Sequence, residues 1–169
     1  MPIAWPLATG AQDSTRLIGI LMGYAERDPA AQADIAVVRE ALAKLGWTED
    51  RNLRIELRWS EGNPDRIKTF AKELINLRPN AILSHTTAVT AALARETSTI
   101  PIICVIVADP VASGFAQSLA RPGGNISGFM VDTAMQGGKW VQLLKEIAPQ
   151  TSRMALLFSR PLRSPIERG

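Results

Sequence analysis

The sequence predicts an α/β fold in which a parallel sheet carries helices on both faces. Six short runs, rich in Ile, Val and Leu, are too brief for ordinary helices and resemble strands that are buried on both faces. Helix patterns alternate with these runs five times, which favours right-handed crossovers between parallel strands. We expect the strand order 2-1-3-4-5. The predicted strands are Leu17 to Met22, Leu53 to Trp59, Ala81 to Ser84, Ile102 to Val107, Ile126 to Val131 and Met154 to Phe158.

The first two predicted helices each begin at a capping residue followed by proline. Asp28 precedes Pro29, and Gly46 ends that helix; Asn63-Pro64 opens the second helix, which ends before Pro79. Apolar residues at helical spacing give each helix one inward face. These residues are Ile35, Val38, Leu42 and Leu45 in the first helix, and Ile67, Phe70, Leu74 and Leu77 in the second.

Three further helices complete the predicted alternation. Thr86 or Thr87 starts a third, Ala-rich helix, and Asp109-Pro110 has the pattern of another helix start. The apolar residues assigned to the last two helices are Ala112, Phe115 and Leu119 in the fourth, and Trp140, Leu143, Leu144 and Ile147, ahead of Pro149, in the fifth.

Composition indicates a globular chain with one hydrophobic core. The 169 residues are 46% hydrophobic and 21% charged, which suits one domain better than two. The net charge of +3 and the pI near 9.4 come from basic residues scattered among 16 acidic ones. This scatter favours a solvated surface, so we expect no nucleic-acid partner. No apolar run approaches the roughly 18 residues of a membrane-spanning helix.

The sequence gives little support for metal binding, cofactor binding or catalysis. His85 is the single histidine, and the single cysteine, Cys104, lies within a predicted strand, which indicates a buried, inert thiol. Nucleophile elbows and phosphate-binding loops are absent from the sequence. The glycine cluster from Arg121 to Asn125 follows a helix pattern and precedes a strand, so it reads as a helix stop and turn.

A candidate site follows from the position of the loops alone. Ligands of open parallel sheets bind outside the carboxyl ends of the strands, near the point where the strand order reverses. For the order 2-1-3-4-5, that point lies between the first and third strands. The predicted site residues are Gly23, Tyr24, His85, Thr86 and Thr87 in the crevice, with Ala108, Asp109, Met130 and Asp132 on the neighbouring rims.

Each of the polar candidates has two interpretations. A threonine at position 86 or 87 either caps a helix or leaves backbone N–H groups that receive a ligand carboxylate. Tyr24 either presents its ring to a planar or apolar ligand or packs on its own loop. His85 is a structural hydrogen-bonding group or a ligand contact. Asp109 fits a helix cap, with contact to a ligand ammonium as the alternative.

Several segments follow one another in the order found in a known family. They are Arg16 to Met22, Leu45 to Trp47, Asn52 to Ile55, Arg58-Trp59, Asp109 to Val111 through Arg121 to Phe129, and Lys139-Trp140 through Leu144 to Pro149. Together they resemble the ABC transporter substrate-binding proteins of the tryptophan/tyrosine-type uptake family. The resemblance runs from about Arg16 to Phe158.

This resemblance implies a type I periplasmic-binding fold, with two Rossmann-like lobes and a small organic ligand, an amino acid or similar, between them. The family delivers its ligand to an ABC permease in the membrane and is not enzymatic, so a periplasmic location is implied. The family's pocket loops fall on Gly23 and Tyr24, on Ser84 to Ala88, on Ala108 and Asp109, and near Met130 to Asp132. His85-Thr86-Thr87-Ala88 departs from the Gly-Thr-Pro-Ala pattern that is usual in the third loop.

The resemblance also gives expectations for the ends of the chain. We expect residues 1–15 to be a signal-peptide remnant or a disordered tail, and residues 16–150 to form the N-terminal ligand-binding lobe. Residues 151–169 would hold a hinge, the start of a missing second lobe and an irregular tail. On this interpretation the chain is a truncated receptor whose ligand binding is impaired, because the pocket is open to water on one side.

One alternative from a different class stays open at this stage. The same α/β pattern fits a freestanding cytoplasmic flavodoxin-like domain that acts as a nucleotide-binding or regulatory module. The sensor half of a transcriptional regulator also shares the fold, although the sequence carries no N-terminal helix-turn-helix pattern.

Overall fold

A computed structural model describes residues 15–130 and 134–153, and its centre is one five-stranded parallel sheet. The strand order is β2-β1-β3-β4-β5, as predicted. The predicted end of the fifth strand at Val131 and the predicted sixth strand, Met154 to Phe158, lie outside the described residues. The strands are β1 (Arg16–Met22), β2 (Leu53–Trp59), β3 (Ala81–His85), β4 (Ile102–Val107) and β5 (Ile126–Met130).

The strand register brings three carboxyl ends to the same edge of the sheet. The central strand β1 pairs with β2 on one side, where Met22 lies opposite Trp59, and with β3 on the other, where Leu21 lies opposite Ser84. Because every pairing is parallel, the loops that follow these three strands leave the sheet together. The order of the strands reverses here, at β1.

The first two predicted helix starts are confirmed. The Asp28 carboxylate accepts the backbone N–H groups of Ala30 and Ala31 at 2.9 and 3.2 Å, and the Asn63 side chain accepts those of Asp65 and Arg66 at 2.9 and 3.1 Å. Each cap therefore satisfies N–H groups that a helix leaves unpaired. The helices are α1 (Pro29–Lys44), α2 (Pro64–Asn76), α3 (Thr87–Glu96) and α4 (Ala134–Ile147).

The sheet carries helices on both faces, but the two faces are covered unequally. Helix α1 packs on one face, where Ala31 and Ile35 meet the side chains of β1. Helices α2 and α3 cover the opposite face and form the larger core. Its buried members are Leu21, Ile67, Ala71, Leu74, Ile82, Val89, Leu93, Ile102, Cys104, Val107, Phe115 and Ile126.

The predicted fourth helix, starting at Asp109-Pro110, is wrong. The chain makes a single turn in which the N–H groups of Phe115 and Ala116 both bond to the carbonyl of Pro110, and Gly114 adopts a φ of 75°. This left-handed glycine stops the helix after one turn. Phe115 still packs inward at 5% exposure, as the apolar spacing indicated. The β4-to-β5 crossover is therefore a loop folded against the α3 face.

The predicted fifth helix is present as α4, yet its apolar residues are exposed. Trp140 is 55% exposed and Ile147 is 73% exposed, and Leu143 and Leu144 are exposed as well. The helical spacing was thus sufficient to predict the helix but not its packing. Within the described residues, no helix combines the length and apolar character needed to span a membrane.

The two edges of the sheet differ in chemistry. On β2, Arg58 bonds Glu73 of α2 at 3.2 Å, and Arg54 pairs with Glu56. The hydrogen bond from Arg54 holds the pKa of the Glu56 carboxyl below its ordinary value. At the other edge of the described sheet, β5 exposes Phe129.

Candidate functional site

A cleft of about 400 Å³ lies at the carboxyl ends of β2, β1 and β3. It occupies the point of strand reversal that the sequence selected. Three of the predicted site residues line it: Gly23, Tyr24 and Thr86. The remaining lining residues, which the sequence analysis did not select, are Ala25, Asp28, Glu61, Gly62, Ile67 and Ala88.

Gly23 allows the loops after β1 and β3 to touch. A Cβ atom placed on Gly23 would lie 2.8 Å from Cγ2 of Thr86 and 3.1 Å from the carbonyl oxygen of His85. These distances are shorter than ordinary van der Waals contact. A side chain at position 23 would therefore push the third loop away from the first.

Thr86 holds an unusual backbone conformation, with φ of 87° and ψ of 155°. A β-branched residue rarely adopts a positive φ, and the strain costs on the order of 1–3 kcal/mol. The Thr86 N–H donates to the carbonyl of Val105 at 3.0 Å, and the Thr90 hydroxyl donates to the Thr86 carbonyl at 2.9 Å. Thr90 is in turn 2.8 Å from the buried Ser84 hydroxyl. These bonds keep Thr86 in place.

The strained Thr86 leaves the N-terminus of α3 without a side-chain cap. Helices α1 and α2 bond their own first N–H groups through Asp28 and Asn63, whereas Thr86 makes no such bond. The N–H groups of the first turn of a helix have no partner within the helix, and they carry the positive end of its dipole. At α3 they adjoin the cleft, where Thr86 and Ala88 are lining residues.

The loop after β2 forms the opposite wall, and sequence analysis missed it. Ser60 donates from both its N–H and its hydroxyl to the carbonyl of Met22, at 2.9 and 2.8 Å. The Glu61 N–H donates to the carbonyl of Tyr24 at 3.3 Å. These bonds join the second loop to the first. The strand order alone could have indicated this loop, because β2 neighbours β1.

The charged side chains that line the cleft, Asp28 and Glu61, are both acidic. Oδ1 of Asp28 is engaged as the cap of α1. Oε2 of Glu61 lies 2.8 Å from the Arg66 guanidinium, which also stands over the Phe70 ring with 5.6 Å to its centroid. The cleft thus pairs an N–H-rich helix end with acidic groups.

Tyr24 and His85 are in contact beside the cleft. Their ring centroids are 4.6 Å apart and the ring planes meet at 70°, an edge-to-face arrangement. Tyr24 is 40% exposed and lines the cleft, whereas His85 is 2% exposed. The exposed Tyr24 ring at the cleft is therefore in direct contact with a buried ring in the interior of the lobe.

His85 lines a separate groove of about 300 Å³ between α1 and the sheet. Its neighbours there include Met22, Leu83 and Val105, with Asp34 as the acidic residue of the groove lining. Neither ring nitrogen of His85 has a hydrogen-bond partner among the described residues. The interpretation as a structural hydrogen-bonding group therefore finds no support among the described residues, because the surroundings of His85 are mainly apolar. Burial lowers the pKa of His85, and the charges of Asp34 and Asp28 only partly oppose this.

The rim residues predicted after β4 have local roles. The Ala108 N–H donates to the Thr87 hydroxyl at 3.5 Å, which links the loops after β3 and β4. The Asp109 carboxylate accepts the N–H groups of Val111 and Ala112 at 3.1 and 2.9 Å. Asp109 is thus a cap, as its pairing with proline indicated, although it caps a turn rather than a helix.

The last two predicted rim residues are Met130 and Asp132, and Met130 does not line the cleft. Met130 ends β5 and lines a different cavity of about 80 Å³, together with Cys104 and Phe115. Burial raises the pKa of the Cys104 thiol, which disfavours the reactive thiolate. Asp132 lies outside the described residues.

The sheet order defines an α/β lobe of the periplasmic-binding type, and solved structures share this fold. A conserved domain protein from Vibrio cholerae O1 biovar eltor has a TM-score of 0.72 and 27% identity, covering 81% of this chain and 45% of that one. The ABC domain from Streptococcus pneumonia in complex with L-Trp has a TM-score of 0.70 and 26% identity, covering 80% and 44%.

The sequence comparisons give the family. A model of the family described as ABC transporter substrate binding protein matches residues 26–165, and this chain belongs to that family, whose members bind substrates and are not enzymes. A tyrosine-binding protein from Clostridioides difficile is 26% identical over 120 residues, which are 71% of this chain and 34% of that protein. The chain spans about a third of this curated relative and less than half of each solved structure.

We predict that Gly23→Ala destabilises the lobe by about 1–3 kcal/mol, because the added methyl group overpacks the contact with Thr86 and the carbonyl of His85. Urea unfolding measures the change. Gly124→Ala is the matched control, since a Cβ there meets no atom within 4 Å. Equal losses in the two variants would contradict the close approach of the first and third loops.

We predict that acid destabilises the folded chain through His85. The folded state has the lower pKa, so the unfolded chain binds the proton more tightly, and stability rises with pH until the ordinary histidine value of about 6.5 is passed. Between pH 7 and pH 5, the wild type should therefore lose stability relative to His85→Phe. His85 is the only histidine in the sequence, so parallel unfolding curves in this interval would refute the prediction.

Proposed function

We propose that this chain is the solute-binding component of an ABC-type uptake system and that it takes an aromatic amino acid at the strand-end cleft. The observation that carries the proposal is the uncapped N-terminus of α3 beside Tyr24 and Glu61 in one cleft. Family membership and the relatives described as tyrosine-binding and as bound to L-Trp support the same class of ligand.

Each part of an amino acid has a chemical counterpart in the cleft. The ligand carboxylate would accept the free N–H groups at the start of α3, where the helix dipole favours negative charge. The ammonium would lie toward Glu61 and Asp28. The aromatic side chain would pack against the Tyr24 ring. The first and third loops meet at Gly23 and Thr86, and α3 begins at Thr87. His85 lies behind Tyr24.

The rim residues belong to the proposal in a secondary role. Ala108 and Asp109 order the loop after β4, next to the start of α3. Met130 and Asp132 are proposed only through the family resemblance, which places a pocket loop near Met130 to Asp132. A nucleotide-binding module fits less well, because acidic side chains in the cleft would repel phosphate groups.

The described residues line the proposed pocket from one side, at the strand-end edge of the sheet. A ligand held on one side keeps much of its surface in water, and its interactions are weakened accordingly. We therefore propose weak binding by this chain alone. The proposed partner is an ABC permease, and the proposed location is the periplasm; both extend from the family.

We predict that the chain binds L-tryptophan and that tryptamine, which lacks the carboxylate, binds about 3- to 10-fold more weakly because it loses the contact with the start of α3. An NMR titration of the amide signals of Gly23, Thr86 and Ala88 measures both affinities. Indole-3-propionate, which lacks the ammonium, reports on the acidic wall in the same way. Equal affinities for tryptophan and tryptamine would contradict the proposed orientation, and no binding of any of the three would contradict the proposed function.

A further inference from the structure

We infer that His85 is a positioning residue for ligand binding, whose buried ring holds the Tyr24 ring in the orientation that lines the cleft. The inference rests on the proposed function, in which Tyr24 contacts the ligand. It assigns to His85 neither a hydrogen bond nor a direct ligand contact. The observation behind it is the edge-to-face contact of the two rings, with centroids 4.6 Å apart.

Tyr24 needs support from elsewhere in the lobe. It lies in the loop after β1, its side chain is 40% exposed, and its hydroxyl makes no hydrogen bond with the described residues. The carbonyl of Tyr24 is fixed by the Glu61 N–H, but that bond does not restrict rotation of the side chain. The contact with His85 is the aromatic contact that restrains the ring.

His85 is well placed to give that support. It is the last residue of β3, where it pairs with Val105, and its neighbour Thr86 bonds to the carbonyl of the same valine. The side chain is 2% exposed and packed between α1 and the sheet. A ring on a buried strand end moves less than one on a loop, so His85 can fix Tyr24 rather than the reverse.

The ring nitrogens of His85 make no hydrogen bond with the described residues, so the contact of its ring with Tyr24 is the interaction left to explain its position. Both nitrogens are buried without partners among the residues described, an arrangement that costs stability. The groups near the imidazole that carry or can carry charge are Tyr24 from the first loop, Asp28 at the cap of α1 and Asp34 within α1. His85 thus lowers the stability of the fold while it holds the Tyr24 ring at the cleft. Such a local loss of stability is expected at a functional site.

The test compares wild type, His85→Ala and His85→Phe, with Val38→Ala as a control that loosens the same groove without removing a ring beside Tyr24. Tyr24 is the only tyrosine, so its ring signals are unambiguous in NMR spectra. The first measurement is the mobility of the Tyr24 ring and its NOEs to residue 85. The second is the affinity for L-tryptophan, with each variant's stability measured alongside.

We expect His85→Ala to free the Tyr24 ring and weaken tryptophan binding about 2- to 10-fold, the range of an aromatic pair. His85→Phe should restore both, because it keeps the ring without the nitrogens, and Val38→Ala should change neither. An unchanged Tyr24 ring in His85→Ala would overturn the inference, as would a freed ring with unchanged affinity. If wild type binds no tryptophan, the proposed function fails, while the NMR signals still show whether His85 holds Tyr24.

Discussion

The close approach of Gly23 to Thr86 is the constraint on which the site depends. A parallel sheet brings the ends of β1 and β3 side by side, but neighbouring strands still leave their loops free to diverge. Here the absence of a side chain at position 23 lets the first loop approach the third closely. A Cβ atom on Gly23 would lie only 2.8 Å from Cγ2 of Thr86. The strained backbone of Thr86 then directs the chain into α3 without a cap. Strain and an unsatisfied helix end are thus located together at the cleft.

The three helices that start at this edge are not equivalent. The side chains of Asp28 and Asn63 accept hydrogen bonds from the first N–H groups of α1 and α2, so these groups are not available to a ligand. At α3, the Thr90 hydroxyl bonds instead to the carbonyl of Thr86, which fixes the loop and leaves the amide groups available. The bond between Ser84 and Thr90 is buried, and the bond from Thr90 to Thr86 is partly buried, so both hold the geometry in the absence of a ligand. Such preorganisation lowers the ordering cost of binding.

Local signals in the sequence predicted the strands, the strand order and the capped helices. The spacing of apolar residues and the presence of capping residues depend only on residues close together in the chain. The failures have causes that residue spacing does not show. The helix expected after Asp109 was prevented by the left-handed conformation at Gly114, which residue spacing does not reveal. Glu61 and Gly62 enter the cleft through bonds between the second and first loops, so their role appears only once the strands are aligned. For His85 the sequence left a structural hydrogen-bonding role and a ligand contact open, and its mainly apolar neighbours became visible only in the folded lobe.

The unlike edges of the sheet also determine how the lobe meets other chains. Strand β2 carries the paired charges of Arg54, Glu56 and Arg58, and an incoming strand would have to desolvate them. Strand β5 presents Phe129 and an unpaired backbone at the other edge of the described sheet. Within the described sheet, β5 is therefore the edge more open to strand addition, whether such addition leads to aggregation or to productive assembly.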